Sequence, residues 1–186
     1  MICLIDIQSV NHMKPILLKN LVLFIGMITV GCTHPGYEKA LDNGHWKHLN
    51  NHEREGWYLR VNNDIYGSDV VEIKCCIKYN KPLKGVDANT FEAEQNSDYA
   101  KDKNHVYYPL QVRCEDWLQD DEEGCYNSCY FMEHLIKGAD PKTFKYLGDG
   151  YAVDRRHMYD EGREIQWDNE IIKRYQKQTV PNDSKP

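Results

Sequence analysis

Residues 137–165 read KGADPKTFKYLGDGYAVDRRHMYDEGREI, and the order of residue types in this stretch decides the fold. Asp140 precedes Pro141. Its carboxylate is placed to accept bonds from the free N–H groups of a first helical turn, and the proline takes the position that needs no N–H. Ala139 and Phe144 flank the cap as a hydrophobic staple. The pattern predicts a short helix ended by Gly148 and Gly150. Tyr151 and Val153 then alternate with Ala152 and Asp154. Arg155-Arg156 predicts a two-residue turn, and His157-Met158-Tyr159 starts a second strand.

The same logic occurs earlier. Asp87 caps, Val86 and Phe91 form the staple, and Thr90 matches Thr143. Gln95-Asn96-Ser97 is expected to end this helix. Tyr99-Ala100-Lys101-Asp102 and His105-Val106-Tyr107-Tyr108 follow as strands around Lys103-Asn104, with Asn104 suited to a left-handed turn position. Asp102 and Asp154 are each placed to bond backbone groups two residues on. A third copy, residues 58–66, keeps both end tyrosines, Tyr58 and Tyr66. The spacings are irregular, 41 residues from Tyr58 to Tyr99 and 52 from Tyr99 to Tyr151. They indicate repeated supersecondary units rather than a strict solenoid.

The strings YAKDKNHVYY (residues 99–108) and KGADPKTFKYLGDGYAVDRRHMY (residues 137–159) resemble the DKNYY family of bacterial exported proteins. The resemblance covers roughly residues 56–165. It implies a repeated hairpin architecture in a lipoprotein and no catalytic residue. This chain departs from the pattern with Asp154-Arg155-Arg156-His157, and with Pro109 where a second turn is expected.

The chain has 186 residues and a formal charge of -6, a length that fits one ordinary domain behind an export segment. The acidic balance argues against a nucleic-acid partner. Residues 13–32 read MKPILLKNLVLFIGMITVGC. Lys14 and Lys19 supply a positive n-region, and the apolar run from Leu21 to Val30 is too short to span a bilayer. Thr29-Val30-Gly31-Cys32 resembles a lipobox, so Cys32 is the expected site of lipidation, such as by palmitate. Residues 1–31 are then a signal peptide. Met13 is the expected true start, because residues 2–12 carry Asp6 and no base. Thr33 after the cysteine favours the outer membrane in a Gram-negative cell.

Residues 32–55 read as a lipid-anchored lead-in, with a helix possible over 37–52. His45, His48 and His52 would share one face of it, but no further ligand is placed to complete a metal site, and none is assigned. Residues 70–79 (VVEIKCCIKY) read as a strand. The insert 113–132 holds six acids without calcium-loop spacing, so a solvated acidic loop is expected. The segment from Trp167 to Tyr175 predicts a final helix with Ile171, Ile172 and Tyr175 apolar. Residues 176–186 read as a disordered tail.

Five further cysteines, Cys75, Cys76, Cys114, Cys125 and Cys129, are disulfide candidates in an exported protein. Cys125 with Cys129 would close a small loop, and Cys114 would reach Cys75 or Cys76. Structural bridging outweighs a redox role, since no Cys-x-x-Cys occurs.

The nearest catalytic constellation is Asp102 with His105, repeated as Asp154 with His157, because an aspartate orienting a histidine is a general-base arrangement. No serine or cysteine recurs beside them, and a hairpin turn explains each aspartate. Thirteen tyrosines, many on predicted strands, suit cross-strand packing or a contact surface. The fold expectation is a mainly β protein (α+β minor). Repeated antiparallel β-hairpins, each with a short helical turn, fill residues 56–175. The functional expectation is a membrane-anchored binding or structural module of the cell envelope, without catalysis or cofactor, contacting the membrane through its lipid and an envelope protein or glycan. The alternative is an envelope hydrolase using the Asp-His pairs.

Overall fold

The computed structural model describes residues 33–68, 81–115 and 128–178. The chain is mainly β, with twelve strands in three antiparallel sheets among these residues. Strands β1 (Trp46–His48), β5 (Glu92–Glu94), β6 (Ala100–Lys101), β7 (Val106–Glu115) and β8 (Ser128–Leu135) form one sheet in that order. Strands β2 (Arg54–Glu55), β3 (Tyr58–Val61) and β4 (Asp64–Gly67) form a second. The third joins β9 (Lys145–Gly148), β10 (Tyr151–Val153), β11 (Met158–Asp160) and β12 (Arg163–Ile165) in meander order. Helix α1 (Asn169–Gln178) closes the described chain.

Three hairpins share one register. Ala100 pairs with Tyr107 and Lys101 with Val106. Ala152 pairs with Tyr159 and Val153 with Met158. Leu59 pairs with Tyr66 and Arg60 with Ile65. These are the same positions of three copies. The strand before each later hairpin matches as well, since Ala93 faces Ala100 and Tyr146 faces Ala152. Each later copy is therefore a three-stranded unit.

The expected helices after Asp87 and Asp140 are single turns. Thr90 N–H donates to Asp87 O at 3.1 Å, and Thr143 N–H to Asp140 O at 3.1 Å. Each aspartate caps as expected, accepting from Asn89 N–H (3.0 Å) and Lys142 N–H (3.1 Å). No helix propagates, because Phe91 and Phe144 are drawn into the cores with their staple partners Val86 and Ala139. One turn fixes several dihedrals for a single bond, so burial of the next residues as strand prevails. Gly148 and Gly150 accordingly shape the β9–β10 hairpin turn, with φ of 137° and 83°, rather than a helix end.

Alternation with period two gives each unit two apolar faces. Phe91, Ala93, Ala100 and Tyr107 of the middle copy pack with Tyr58 and Ile65 of the first. Tyr99 and Val106, on the middle copy's other face, pack with Phe144, Tyr146, Ala152 and Tyr159 of the last. The last copy's remaining face, Leu147, Val153 and Met158, is covered by Ile171, Ile172 and Tyr175 of α1. The units stack in chain order, and the helix caps the stack. Helix α1 starts at Asn169 rather than 167, where Asp168 Oδ1 accepts from Glu170 N–H at 2.8 Å, and it runs to Gln178, into the stretch expected as tail.

The lead-in is not helical over 37–52. Only Tyr37–Lys39 forms a 3-10 turn, while β1 pairs with β5 and β2 with β3. Gly44 weakens a helix there, and the open edge of β5 supplies backbone partners instead. Pro109 lies inside β7, where the pairing with β8 shifts register between Tyr107 and Gln111. Its missing N–H suits such an irregularity.

Cys114 faces Cys129 across β7–β8 and is bonded to it, with Cα atoms 4.0 Å apart. The expected Cys125–Cys129 loop is thereby replaced. Both bonded residues sit in strands, which fixes their approach, and the acidic insert begins and ends as β7 and β8 rather than as loop. Cys32, Cys75, Cys76, Cys125, the strand 70–79 and most of the acidic insert lie outside the described residues.

Candidate functional site

The Asp-His pairs, the nearest approach to a catalytic constellation in the sequence, sit at the turns of the second and third hairpins. Asp102 is buried, and its carboxylate is used by its own turn. Oδ1 accepts from Asn104 N–H (2.7 Å) and His105 N–H (2.8 Å), and Oδ2 from Asp87 N–H (2.7 Å) and Tyr107 O–H (2.8 Å). Asp154 repeats every bond. Its Oδ1 accepts from Arg156 N–H (2.7 Å) and His157 N–H (2.8 Å), and its Oδ2 from Asp140 N–H (2.9 Å) and Tyr159 O–H (3.0 Å). The threonines match too, since Thr90 Oγ1 accepts from Lys103 N–H and Thr143 Oγ1 from Arg155 N–H.

Four donors fill the lone-pair sites of each carboxylate. Burial pushes the Asp154 carboxyl up, but the hydrogen bonds from Arg156, Asp140, His157 and Tyr159 outweigh it and hold it below the ordinary carboxylate value. The histidine rings lie off to the side, with Nδ1 4.0 Å from the carboxylate in the His105 pair and 3.4 Å in the His157 pair. Neither ring hydrogen-bonds a serine or cysteine among the described residues. Asn104 has no positive φ; the aspartate side chain organises the turn, and of the three equivalent turns only that of the first copy, where Val61 replaces the aspartate, has a positive φ, at Asn62 (56°).

Residues 124–182 match the DKNYY family. No curated protein and no solved structure matches the chain. The matched segment includes the last unit and α1, and the middle unit, outside it, repeats the Asp154 network bond for bond at Asp102.

The other end of the stack, where the tight turns lie, is built differently. Tyr58 O–H donates to Asp98 O at 2.8 Å, and Tyr99 O–H donates to Gly150 O at 3.0 Å. Asp98 and Gly150 are equivalent positions, so each unit's first tyrosine clasps the tight turn of the next. The Tyr99 hydroxyl oxygen also accepts from Gly162 N–H at 2.8 Å. In the last unit Tyr151 has no following unit and packs on Tyr175 of α1, whose hydroxyl bonds Asp149 at 2.9 Å.

The clasps line up the tight turns of all three copies. Gly56, Gln95 to Asp98, and Gly148 to Gly150 line one open cleft of about 770 Å³, with Asn43, His45, Tyr108, Tyr146 and Glu161. Its lining holds three carboxylates and no lysine or arginine. Burial, and then the Glu161 charge, raise the Asp98 carboxyl above its ordinary value. Burial, with Asp98 and Glu161 beside it, pushes the Tyr108 hydroxyl up to about 12.

Of the three lead-in histidines, His45 lines this cleft and bonds Asn96 at 3.3 Å, whereas His48 meets Phe91 O and Arg60. Among the described residues no three His, Cys, Asp or Glu are grouped to hold a metal ion. Sequence reading missed Gln95, Asn96, Asp98, Asp149 and Glu161. Gln95 and Asn96 were read only as a helix end, and the signal that joins all five is the alignment of equivalent turns across copies. The tyrosines noted as packing residues are mostly that: Tyr58, Tyr99, Tyr107 and Tyr159 are almost fully buried, whereas Tyr108 reaches the cleft, as does Tyr146.

Proposed function

We propose that the protein is a lipid-tethered, non-catalytic binding module of the cell envelope, outer-membrane in a Gram-negative cell, that works through the cleft at the tight-turn end. One observation carries this reading. The repeat stack consumes both Asp carboxylates in turn formation at one end while lining up three turns around an open polar cleft at the other. A cleft of that size with convergent polar groups is the default binding-site hypothesis. The tether rests on the lipobox ending at Cys32.

The test uses the full chain in its native membrane. A palmitate analogue labels the wild type and co-fractionates with membrane, and Cys32→Ser loses both. Detergent-solubilised wild type then captures envelope components that Gln95→Trp, which fills the cleft from an exposed turn, does not. The double variant His105→Ala, His157→Ala still captures them. Label on Cys32→Ser, or equal capture by Gln95→Trp, overturns the proposal.

A further inference from the structure

The cleft supplies the chemistry of its ligand as well as its place. Its walls come from turns, from Tyr108 of β7 and from the edge strand β9, whose Tyr146 N–H, Tyr146 O and Leu147 O are already bonded by Asp42 and Asn43, so it lacks the row of free backbone groups with which an extended peptide adds to a sheet. Leu147 is the single aliphatic side chain in the lining. Planar amides and carboxylates dominate: Asn43, Gln95, Asn96, Asp98, Asp149 and Glu161. Such groups offer paired donors or acceptors in one plane, which suits neighbouring hydroxyls on a ring.

Two half-buried groups of the lining are unspent. The Asp98 carboxylate and the Tyr108 hydroxyl make no hydrogen bond among the described residues, although both side chains are half-buried. Asp98 holds its place through its backbone carbonyl, clasped by Tyr58. Tyr108 is held by its ring, which packs on Tyr99 with centroids 4.8 Å apart and against Gly162. A Cβ at Gly162 would lie 2.6 Å from the Tyr108 side chain, so the glycine (φ 74°) lets the ring sit there. Both groups are thus fixed by atoms other than those they present. A rigid aromatic with a free hydroxyl beside a fixed carboxylate can stack on the apolar face of a ring and bond its polar rim.

We infer that this cleft binds a saccharide chain carrying no negative charge, of the N-acetylhexosamine class. Three carboxylates without a lysine or arginine repel an acidic sugar, and their acceptor oxygens take hydroxyl and amide N–H donors. The lining polar residues come from the middle copy, the last copy and the lead-in, so the ligand spans more than one turn and an oligosaccharide fits better than a single sugar. The volume lies within the roughly 300–1,000 Å³ usual for small-ligand sites.

This inference rests on the cleft reading above and deepens it. The experiment is calorimetric titration of the full-length protein in detergent with N-acetylglucosamine tetramer. The expected result is saturable binding, roughly tenfold weaker in Asp98→Asn and in Tyr108→Ala, and abolished in Gln95→Trp. Galacturonate tetramer, which is anionic, gives no binding. Asp98→Asn and Gln95→Trp leave the core untouched, so they remain informative if Tyr108→Ala fails to fold. Absence of binding by the N-acetylglucosamine tetramer overturns the inference, as does binding unchanged in Asp98→Asn and Gln95→Trp. Equal affinity for galacturonate or for tetra-alanine does the same. Capture of envelope components that Gln95→Trp loses, together with no saccharide binding, leaves the binding-module proposal standing and removes only this ligand.

Discussion

At the scale of single residues, the pair of buried aspartates carries the argument. A carboxylate is costly to bury, and Asp102 and Asp154 are buried because four donors meet each of them. Asp154→Ala would strand the donors of Asp140, Arg156, His157 and Tyr159. We expect a loss of about 3–5 kcal/mol in urea denaturation, and a loss under about 1 kcal/mol would mean that water replaces the carboxylate at no cost. The carboxyl of Asp154 is held below its ordinary value in the fold. Its contribution to stability is therefore complete above the unfolded value of about 4 and is lost as pH falls through the folded value. The stability of wild type should drop more steeply below about pH 4 than that of Asp154→Asn, measured by denaturation across that range. Each aspartate and its turn were readable from sequence as an Asx turn. The reach to Asp87, Asp140, Tyr107 and Tyr159 was not, because those partners come from the preceding turn and the returning strand.

At the scale of elements, the tyrosine clasps set which contacts matter. Tyr99 O–H joins two partners in the next unit, Gly150 O and Gly162 N–H, whereas Tyr58 O–H joins one, Asp98 O. Removing the Tyr99 hydroxyl leaves the buried Gly162 N–H without its acceptor. Tyr99→Phe should then cost about 1–3 kcal/mol and Tyr58→Phe about 0.5–1.5 kcal/mol, compared side by side by chemical denaturation. An equal or reversed order would show that the clasps do not transmit stability between units. The Cys114–Cys129 bridge pins β7 to β8 and closes a 15-residue separation. Its removal in Cys114→Ser, Cys129→Ser should cost about 3 kcal/mol on the chain-entropy account. A double variant as stable as wild type would place that hairpin outside the cooperative unit. Period-two alternation and the turn residues made the hairpins legible. The short helices were misjudged because capping signals describe how a turn starts and not whether it continues. What stopped them was burial of Phe91 and Phe144 against neighbouring units.

At the scale of the whole molecule, stability runs along the stack. Each unit contacts its neighbours in chain order, and α1 covers the last exposed face. Ile172 and Tyr175 are almost fully buried in that cap. Ending the chain after Trp167 should uncover Leu147, Val153 and Met158 and loosen the last unit first. Amide hydrogen exchange should show β9 to β12 losing protection while β3 and β4 keep theirs. Uniform loss of protection across all three copies would show instead that the stack unfolds as a single block. The same one-dimensional order produces the cleft, since aligned copies put equivalent turns side by side.

The residues themselves determined the copies, their hairpins, the aspartate-organised turns and the apolar face of α1, all of which depend on neighbours within a few positions. The export segment and lipobox expectation likewise reads from local pattern. Three matters required the tertiary structure: which face of each unit meets which neighbour, the pairing of Cys114 with Cys129, and the cleft lined by Gly56, Asp98, Tyr108 and Asp149. Each joins residues distant in the chain, and their separation is closed only by stacking of the units, a free-energy balance over whole faces that no local pattern records.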